Sequence, residues 1–206
     1  MKLIILFFIL FISQGAIAQI KVIQLKKNTL PPSIKYKGNI INAIEYTDAA
    51  GEHLVITTET GIKPSKDSPD STYRDAALYA YHYDITGNTY KLTWQTYDFV
   101  EECPVDLAAN YIPNTFAITD LNKDGKAEVW LMYKTVCHGD VSPGSMKVIM
   151  HEGNNKYAMR GTNRVKITDN EYDGGGYGFD DAFKTAPKLF RDYAQQLWKQ
   201  NMFYDK

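Results

Sequence analysis

The sequence has no excess of charge of either sign, and this absence excludes one class of partner. The 206-residue chain carries 23 Lys and Arg against 24 Asp and Glu, which gives a formal net charge of −1. Proteins that bind nucleic acid usually carry a marked basic excess or a basic stripe. The balance therefore argues against DNA or RNA as a partner.

The sequence also lacks an apolar run of the roughly 20 residues that a membrane-spanning helix needs. Its apolar run at residues 3–12 is about half that length, follows Lys2 and precedes Ala16-Ile17-Ala18. These are the three regions of a cleavable secretory signal peptide, in order. We expect cleavage after Ala18 rather than membrane anchoring. The residue after Ala18 is not a cysteine, so the new N-terminus could not carry a lipid. The expected location is the periplasm, the outer surface or the extracellular space, without a transmembrane anchor.

Cysteine is scarce as well, since Cys103 and Cys137 are the two in the chain. Removal of residues 1–18 leaves residues 19–206, enough for one β-rich domain whose core needs no further cross-links. An isolated cysteine pair in an exported protein is more often bonded than free. The sequence therefore predicts a disulfide between Cys103 and Cys137, with two free thiols as the alternative.

Abundant Tyr, Val, Ile and Thr favour β-sheet, and four segments rich in Gly, Asn and Asp are typical of hairpin turns. An acidic residue opens each turn, at positions 48, 84, 120 and 152, so the hairpins are either repeated units or a plain meander. We predict a mainly β (α+β) fold of antiparallel hairpins in a meander or propeller-like arrangement. The predicted strand pairs are 40–46 with 53–60, 77–83 with 90–97, 115–119 with 128–134, and 146–150 with 156–160.

Helical periodicity is confined to the C-terminal region. Residues 189, 190, 193, 194, 197 and 198 are apolar at spacings of three and four, which predicts one α-helix over 185–200 packed on the sheet. Thr185 is the predicted N-cap and Pro187 fits the first turn. The glycine-rich segment 171–181, which precedes the helix, is interpreted as a flexible link.

One loop carries oxygen-bearing residues in a pattern suited to calcium. Calcium prefers six to eight oxygen ligands, and alternate side chains of a tight loop can turn toward one ion, with a glycine at position 6 for the sharp turn. The alternative is an ordinary Asp/Asn/Gly turn without an ion. The predicted ligands are Asp120, Asn122, Asp124, the carbonyl of Lys126 and Glu128, with Gly125 at position 6.

The flanks of this loop are strand-like, and position 12, which is Glu in an EF-hand, is Leu131. The segment instead resembles the strand, calcium loop, strand hairpins of FG-GAP and VCBS repeats. That resemblance implies a structural calcium site at the same five residues. It covers about a dozen residues and one copy, and therefore implies nothing about the whole fold.

A wider resemblance rests on DFVEECPVD at 98–106, residues 119–133, CHGDVSP at 137–143, KYAMRG at 156–161 and Leu197-Trp198. These segments look like a small family of exported Gram-negative bacterial proteins labelled as surface polysaccharide biosynthesis proteins. The label implies a cell-envelope setting, with a cell-surface glycan or an envelope protein as partner, and assigns no catalytic residue.

The expected function is that of an exported, non-catalytic binding or structural module with a calcium-stabilised hairpin. The alternative is a carbohydrate-active enzyme, because two carboxylates in one cleft can act as acid and base in glycoside hydrolysis. Acidic residues are dense near the two cysteines. The candidates are Asp98, Glu101, Glu102, Asp106, Asp120, Asp124, Glu128 and Asp140.

Overall fold

The computed structural model describes residues 20–26, 29–66 and 72–204, so the predicted signal peptide lies outside the described residues. Strands dominate the described segments, and the chain ends in two helices. The elements are β1 (Lys21–Gln24), β2 (Asn39–Asp48), β3 (Gly51–Glu59), β4 (Lys63–Pro64), β5 (Arg74–Thr86), β6 (Thr89–Cys103), β7 (Leu107–Tyr111), β8 (Ala117–Thr119), β9 (Glu128–Cys137), β10 (Ser145–Glu152), β11 (Asn155–Thr162), β12 (Arg164–Lys166), β13 (Tyr172–Gly174), β14 (Tyr177–Phe179), α1 (Asp181–Thr185) and α2 (Lys188–Asn201).

Two antiparallel sheets contain most of these strands. The first has the order β1-β2-β3-β5, with β6 on the other side of β5 and the short β4 also paired to β5. The second has the order β14-β11-β10-β9, with β7 and β8 both paired to β9. The predicted mainly β fold of antiparallel hairpins is confirmed, and each sheet is a meander built on two of the predicted hairpins.

Local turn chemistry explains where the hairpins reverse. The turns between β5 and β6 and between β10 and β11 are Gly87-Asn88 and Gly153-Asn154, and both glycines have positive φ (58° and 55°). Two-residue hairpin turns require such backbone angles, which glycine adopts without steric cost. The four acidic residues at 48, 84, 120 and 152 lie within two residues of the end of the first strand in each hairpin.

The two sheets and the helices form three layers. Along β9, Leu131 and Tyr133 pack against Ala76 and Leu78 of the first sheet, because alternate side chains point to opposite faces. Trp130 and its alternating neighbours point the other way, into a core shared with the helices. The second sheet is thus buried on both faces, which accounts for the continuous burial of seven residues at the start of β9.

The helical region differs in detail from the prediction. The residue before Pro187 is extended, with φ −63° and ψ 162°, because proline disfavours helical geometry in its neighbour. Thr185 therefore ends α1, and α2 begins at Lys188 with Pro187 as a cap that makes no side-chain hydrogen bond. On the predicted stripe Tyr193 is partly buried and Leu189 is exposed, whereas the other four residues are buried, namely Phe190, Ala194, Leu197 and Trp198.

The interpretation of 171–181 as a flexible link is wrong. This segment forms β13 and β14, which pair with β12 and β11 respectively. Gly161 of β11 has no room for a Cβ atom because the backbone of Gly176 lies against it. The Trp198 indole also donates to the carbonyl of Gly175 at 2.9 Å, which fastens the segment to α2.

The predicted disulfide is present. Cys103 at the end of β6 and Cys137 at the end of β9 are bonded with a Cα–Cα distance of 5.8 Å, so the bond joins the two sheets. In the segments that the structure describes, neither helix has the length and apolar character that a membrane crossing requires.

Candidate functional site

The hairpin turns of the two sheets meet around one cavity of about 190 Å³, which we call the turn cavity. Each of the four predicted turns contributes to its lining, although the turns are far apart in sequence. The packing of one sheet on the other brings them together. Its lining comprises Tyr46, Asp48, Ala50, His53, His82, Asp84, Thr93, Lys126, Gly153 and Asn154.

The predicted calcium loop lies beside this cavity and is tightly wound by its own side chains. Asp120 Oδ2 accepts from the Gly125 N–H at 3.2 Å, and Asn122 Oδ1 accepts from the Asp124 N–H at 3.1 Å. Asp124 Oδ1 in turn accepts from the Lys126 N–H at 2.8 Å. Gly125 has φ +85°, the conformation that the prediction required of position 6.

Glu128 is buried and accepts hydrogen bonds from the Thr119 hydroxyl at 2.6 Å and from the Leu121 N–H at 3.0–3.1 Å. These hydrogen bonds connect the Glu128 carboxylate to the residues where the loop begins. Burial raises the pKa of Glu128, and the nearby charge of Asp120 raises it further. Asp120 Oδ1 is buried and receives no hydrogen bond.

A second acidic turn adds to this negative charge. Glu152 accepts from the Asn122 amide at 3.1 Å. Burial raises the pKa of Glu152, and Asp124 and Glu128 raise it further. The loop thus carries several carboxylates and one buried oxygen without a hydrogen bond, and oxygen donors of this kind suit a hard cation such as calcium. The described residues do not bring the carboxylates of Asp120, Asp124 and Glu128 together as one close group.

Asp48 connects the calcium loop to the first sheet. Its Oδ2 accepts from the Ala127 N–H at 2.9 Å, and its Oδ1 accepts from the Ala50 N–H at 2.7 Å and lies 3.0 Å from His53 Nε2. Burial alone would raise the pKa of Asp48, but the hydrogen bonds from Ala127, Ala50 and His53 outweigh burial and lower it. A backbone hydrogen bond from the Ala49 N–H to the Gly125 carbonyl, 2.8 Å long, reinforces the connection.

A row of five stacked rings lines the space between the two sheets; we call it the aromatic stack. The distances between successive ring centroids are 4.8, 5.1, 5.0 and 3.8 Å. Sequence reasoning missed this feature, because the histidines show no spacing typical of a metal site and lie on three strands. The members, in order, are Tyr46, His53, His82, Trp94 and His151.

Two imidazoles of the aromatic stack are held neutral by their surroundings. Burial lowers the pKa of His82 to about 4, with a smaller contribution from His53. Burial lowers the pKa of His151 to about 3, with a smaller contribution from Lys156. His151 Nε2 pairs with the Thr96 hydroxyl at 3.1 Å, whereas its buried Nδ1 has no partner.

This burial predicts a loss of stability in mild acid. In the unfolded state His151 has a pKa of about 6.5, whereas in the folded state its pKa is about 3. Between these two values the unfolded state binds a proton that the folded state does not. The free energy of unfolding therefore decreases as the pH falls from 6.5 toward 3. His151 alone should cost about 2 kcal/mol between roughly pH 6 and pH 4.5. Urea unfolding of the wild type and His151→Phe at several pH values measures the difference.

The phenylalanine keeps an aromatic ring against Trp94 and does not titrate. The variant should therefore show a shallower fall in the free energy of unfolding with falling pH. Its value near pH 8 reports the change in packing and the loss of the hydrogen bond to Thr96. Parallel pH profiles for the two proteins would contradict the assignment.

The carboxylates of the enzyme alternative do not form one cluster. Asp98 forms an ion pair with Lys147, and Glu101 and Glu102 are exposed on β6. Asp106 and Asp140 line a separate cavity of about 260 Å³ together with His138.

A large cleft, of about 760 Å³, lies elsewhere, between β1 and β2 of the first sheet and β7 and β8 of the second. Its lining mixes amides, one carboxylate and apolar side chains. Glu59 is held at its edge by the Asn110 amide and the Tyr111 N–H, both at 2.7 Å.

Comparison with known proteins gives no relative. A scan against protein-family models, a search of curated proteins and a search of solved structures each found no match.

Proposed function

We propose that this chain is an exported binding module of the cell envelope in which calcium orders the 120–128 hairpin. One observation carries the proposal: Asp120 Oδ1 is buried without a hydrogen-bond donor, in a loop that also contains Asp124 and Glu128. An ionised oxygen buried in this way is unfavourable unless a cation neutralises it. The pattern of oxygens suits calcium better than a nitrogen-preferring metal.

The residues that would hold the ion are Asp120, Asn122, Asp124, the Lys126 carbonyl and Glu128, as the resemblance to FG-GAP and VCBS hairpins implies. Calcium would supply positive charge and no redox or acid chemistry, so its role is to order the hairpin. Because Asp48 accepts from the Ala127 N–H, order in the loop extends to the first sheet and the turn cavity.

A cell-surface glycan is the proposed partner. The large cleft presents Asn42, Asn110 and Asn114, whose amides can both donate to and accept from sugar hydroxyls, and Phe116 supplies an apolar surface. This combination of a few polar groups with an apolar wall is typical of small-ligand and sugar clefts.

Calcium should raise the melting temperature of the mature protein. Extracellular sites commonly bind with Kd of about 10⁻⁴ to 10⁻³ M. About 10 mM calcium would then stabilise the fold by roughly 1.4–2.7 kcal/mol, or about 3–10 °C. In Asp120→Asn the rise should disappear, while the calcium-free variant should be at least as stable as the wild type because the repulsion with Glu128 is removed.

Calorimetric titration with calcium and thermal unfolding monitored by circular dichroism provide the measurements. Asp173→Asn is the matched control, because Asp173 also accepts from a backbone N–H but is exposed and belongs to β13, outside the loop. A wild type that neither binds calcium nor melts higher would remove the metal from the proposal. Titration of the calcium-loaded protein with a purified bacterial surface polysaccharide tests the partner, and an absence of heat would remove the glycan.

A further inference from the structure

Two histidines and one aspartate of the turn cavity form a second cluster, which the calcium proposal does not use. His53 of β3 stands opposite Asp84 of β5, and His82 precedes Asp84 by two residues on the same face. One ligand atom from each of the three lies within 4.8 Å of the others, and this is the one such group of His, Cys, Asp and Glu in the described segments.

The donor set differs in kind from that of the calcium loop. Two imidazole nitrogens and one carboxylate oxygen suit zinc and its first-row neighbours, whereas calcium prefers oxygen alone. Three protein ligands also leave one coordination position free, as in zinc sites that bind a water or a substrate. The turn cavity, whose lining includes all three residues, offers space for such a ligand.

The surroundings of His53 provide an independent reason to expect a metal. Its Nδ1 lies 2.9 Å from Asp84 Oδ1, while its Nε2 lies 3.0 Å from Asp48 Oδ1. A histidine that binds a metal usually donates its other ring N–H to a carboxylate or carbonyl, which fixes the ring and its tautomer. The Asp48 carboxylate already lies beside His53 Nε2 as such a partner, and the Asp48 side chain is almost fully buried.

His82 is oriented in a comparable way. One ring nitrogen lies 2.8 Å from the Tyr46 hydroxyl, and the other contacts the Thr93 hydroxyl. Whichever nitrogen faces a metal, the remaining N–H therefore has an oxygen to accept it. Stacking against His53 and Trp94 further restricts rotation of the ring.

We propose that His53, His82 and Asp84 bind a divalent transition-metal ion of the zinc type, with Asp48 orienting His53. The ion would lie between the three side chains, in place of the contact that joins His53 Nδ1 to Asp84 Oδ1 in this structure. The site is separate from the calcium loop in its ligands and in its preferred metal, and the two share Asp48 as a neighbour.

The test uses the mature, metal-free protein without a histidine tag, titrated with Zn²⁺ in a calorimeter. We expect one equivalent of Zn²⁺ to bind to the wild type. Asp84→Asn should weaken the affinity for Zn²⁺ by at least about tenfold, because even the loss of a residue that only orients a metal ligand costs about 10- to 100-fold. Asparagine keeps an oxygen for His53, and the Asp84 side chain is half exposed, so the variant should fold. An unchanged circular dichroism spectrum checks this.

Asp140→Asn is the matched control, because Asp140 is also an exposed partner of a histidine, His138. It should bind Zn²⁺ as the wild type does. Co²⁺ should give visible absorption bands in the wild type that are lost in Asp84→Asn. The inference is overturned if the wild type takes up no Zn²⁺, or if Asp84→Asn binds it equally well. Asp120→Asn should lose calcium and keep zinc, so failure of one site is distinguishable from failure of the other.

Discussion

Replacement of Trp130 by alanine is expected to lower the free energy of unfolding by about 3–5 kcal/mol. Trp130 is fully buried in the core between the second sheet and the helices, where its ring lies 4.7 Å from Tyr193 and 6.5 Å from Phe190. Its indole N–H donates to the Thr119 hydroxyl at 2.8 Å. Alanine would leave a cavity that the surrounding strands and α2 cannot fill, and the Thr119 hydroxyl oxygen would lose the N–H that it accepts from.

Urea unfolding of the wild type, Trp130→Phe and Trp130→Ala measures the effect. Phenylalanine retains most of the volume and loses the hydrogen bond, so its cost should lie between the other two. Leu92→Ala serves as the control, since Leu92 is an exposed apolar residue on β6 and its loss should change stability by less than about 0.5 kcal/mol. A loss below about 1 kcal/mol in Trp130→Ala would contradict the three-layer packing.

Removal of the disulfide should cost about 3–4 kcal/mol in the chain-entropy account, for a closed loop of 34 residues. The closed segment contains β7, β8 and most of β9, including the calcium loop. The bond restricts the unfolded chain more than it adds contacts to the folded one. Cys103→Ala combined with Cys137→Ser should therefore unfold at lower urea and with a steeper dependence on urea, because its unfolded state exposes more surface.

Reduced wild-type protein provides the comparison for this variant. It keeps both side chains and loses only the cross-link, so a similar loss of stability in the two samples would assign the effect to loop closure. If the reduced protein and the double variant both match the oxidised wild type within about 1 kcal/mol, the disulfide contributes little to folding.

Local sequence was sufficient to predict the hairpins. Gly87-Asn88 and Gly153-Asn154 turn the chain within two residues, and the backbone angles they adopt depend on those residues themselves. The pairing of Cys103 with Cys137 likewise followed from their number and from the expected export. The C-terminal helix followed from its apolar spacing, but the start of α2 depended on the effect of Pro187 on its neighbour.

The loop at 120–128 shows the limit of a motif. Its residue pattern predicted the winding around Gly125, because the side chains that wind it are close in sequence. The pattern could not indicate that Glu128 accepts hydrogen bonds from within the loop, or that Glu152, 30 residues beyond Asn122, adds its charge. The first depends on the pairing of β8 with β9, which sets Thr119 opposite Glu128, and the second on the pairing of β9 with β10, which sets Glu152 opposite Glu128.

The expected export and calcium motif, the hairpin turns and the apolar stripe of the helix are contained in the sequence, because each depends on residues within a few positions of one another. The turn cavity, the aromatic stack and the cluster of His53, His82 and Asp84 are decided by the tertiary structure alone. Their members lie on different strands, and strand register together with the packing of one sheet on the other determines which side chains share a face. No short-range pattern encodes that choice.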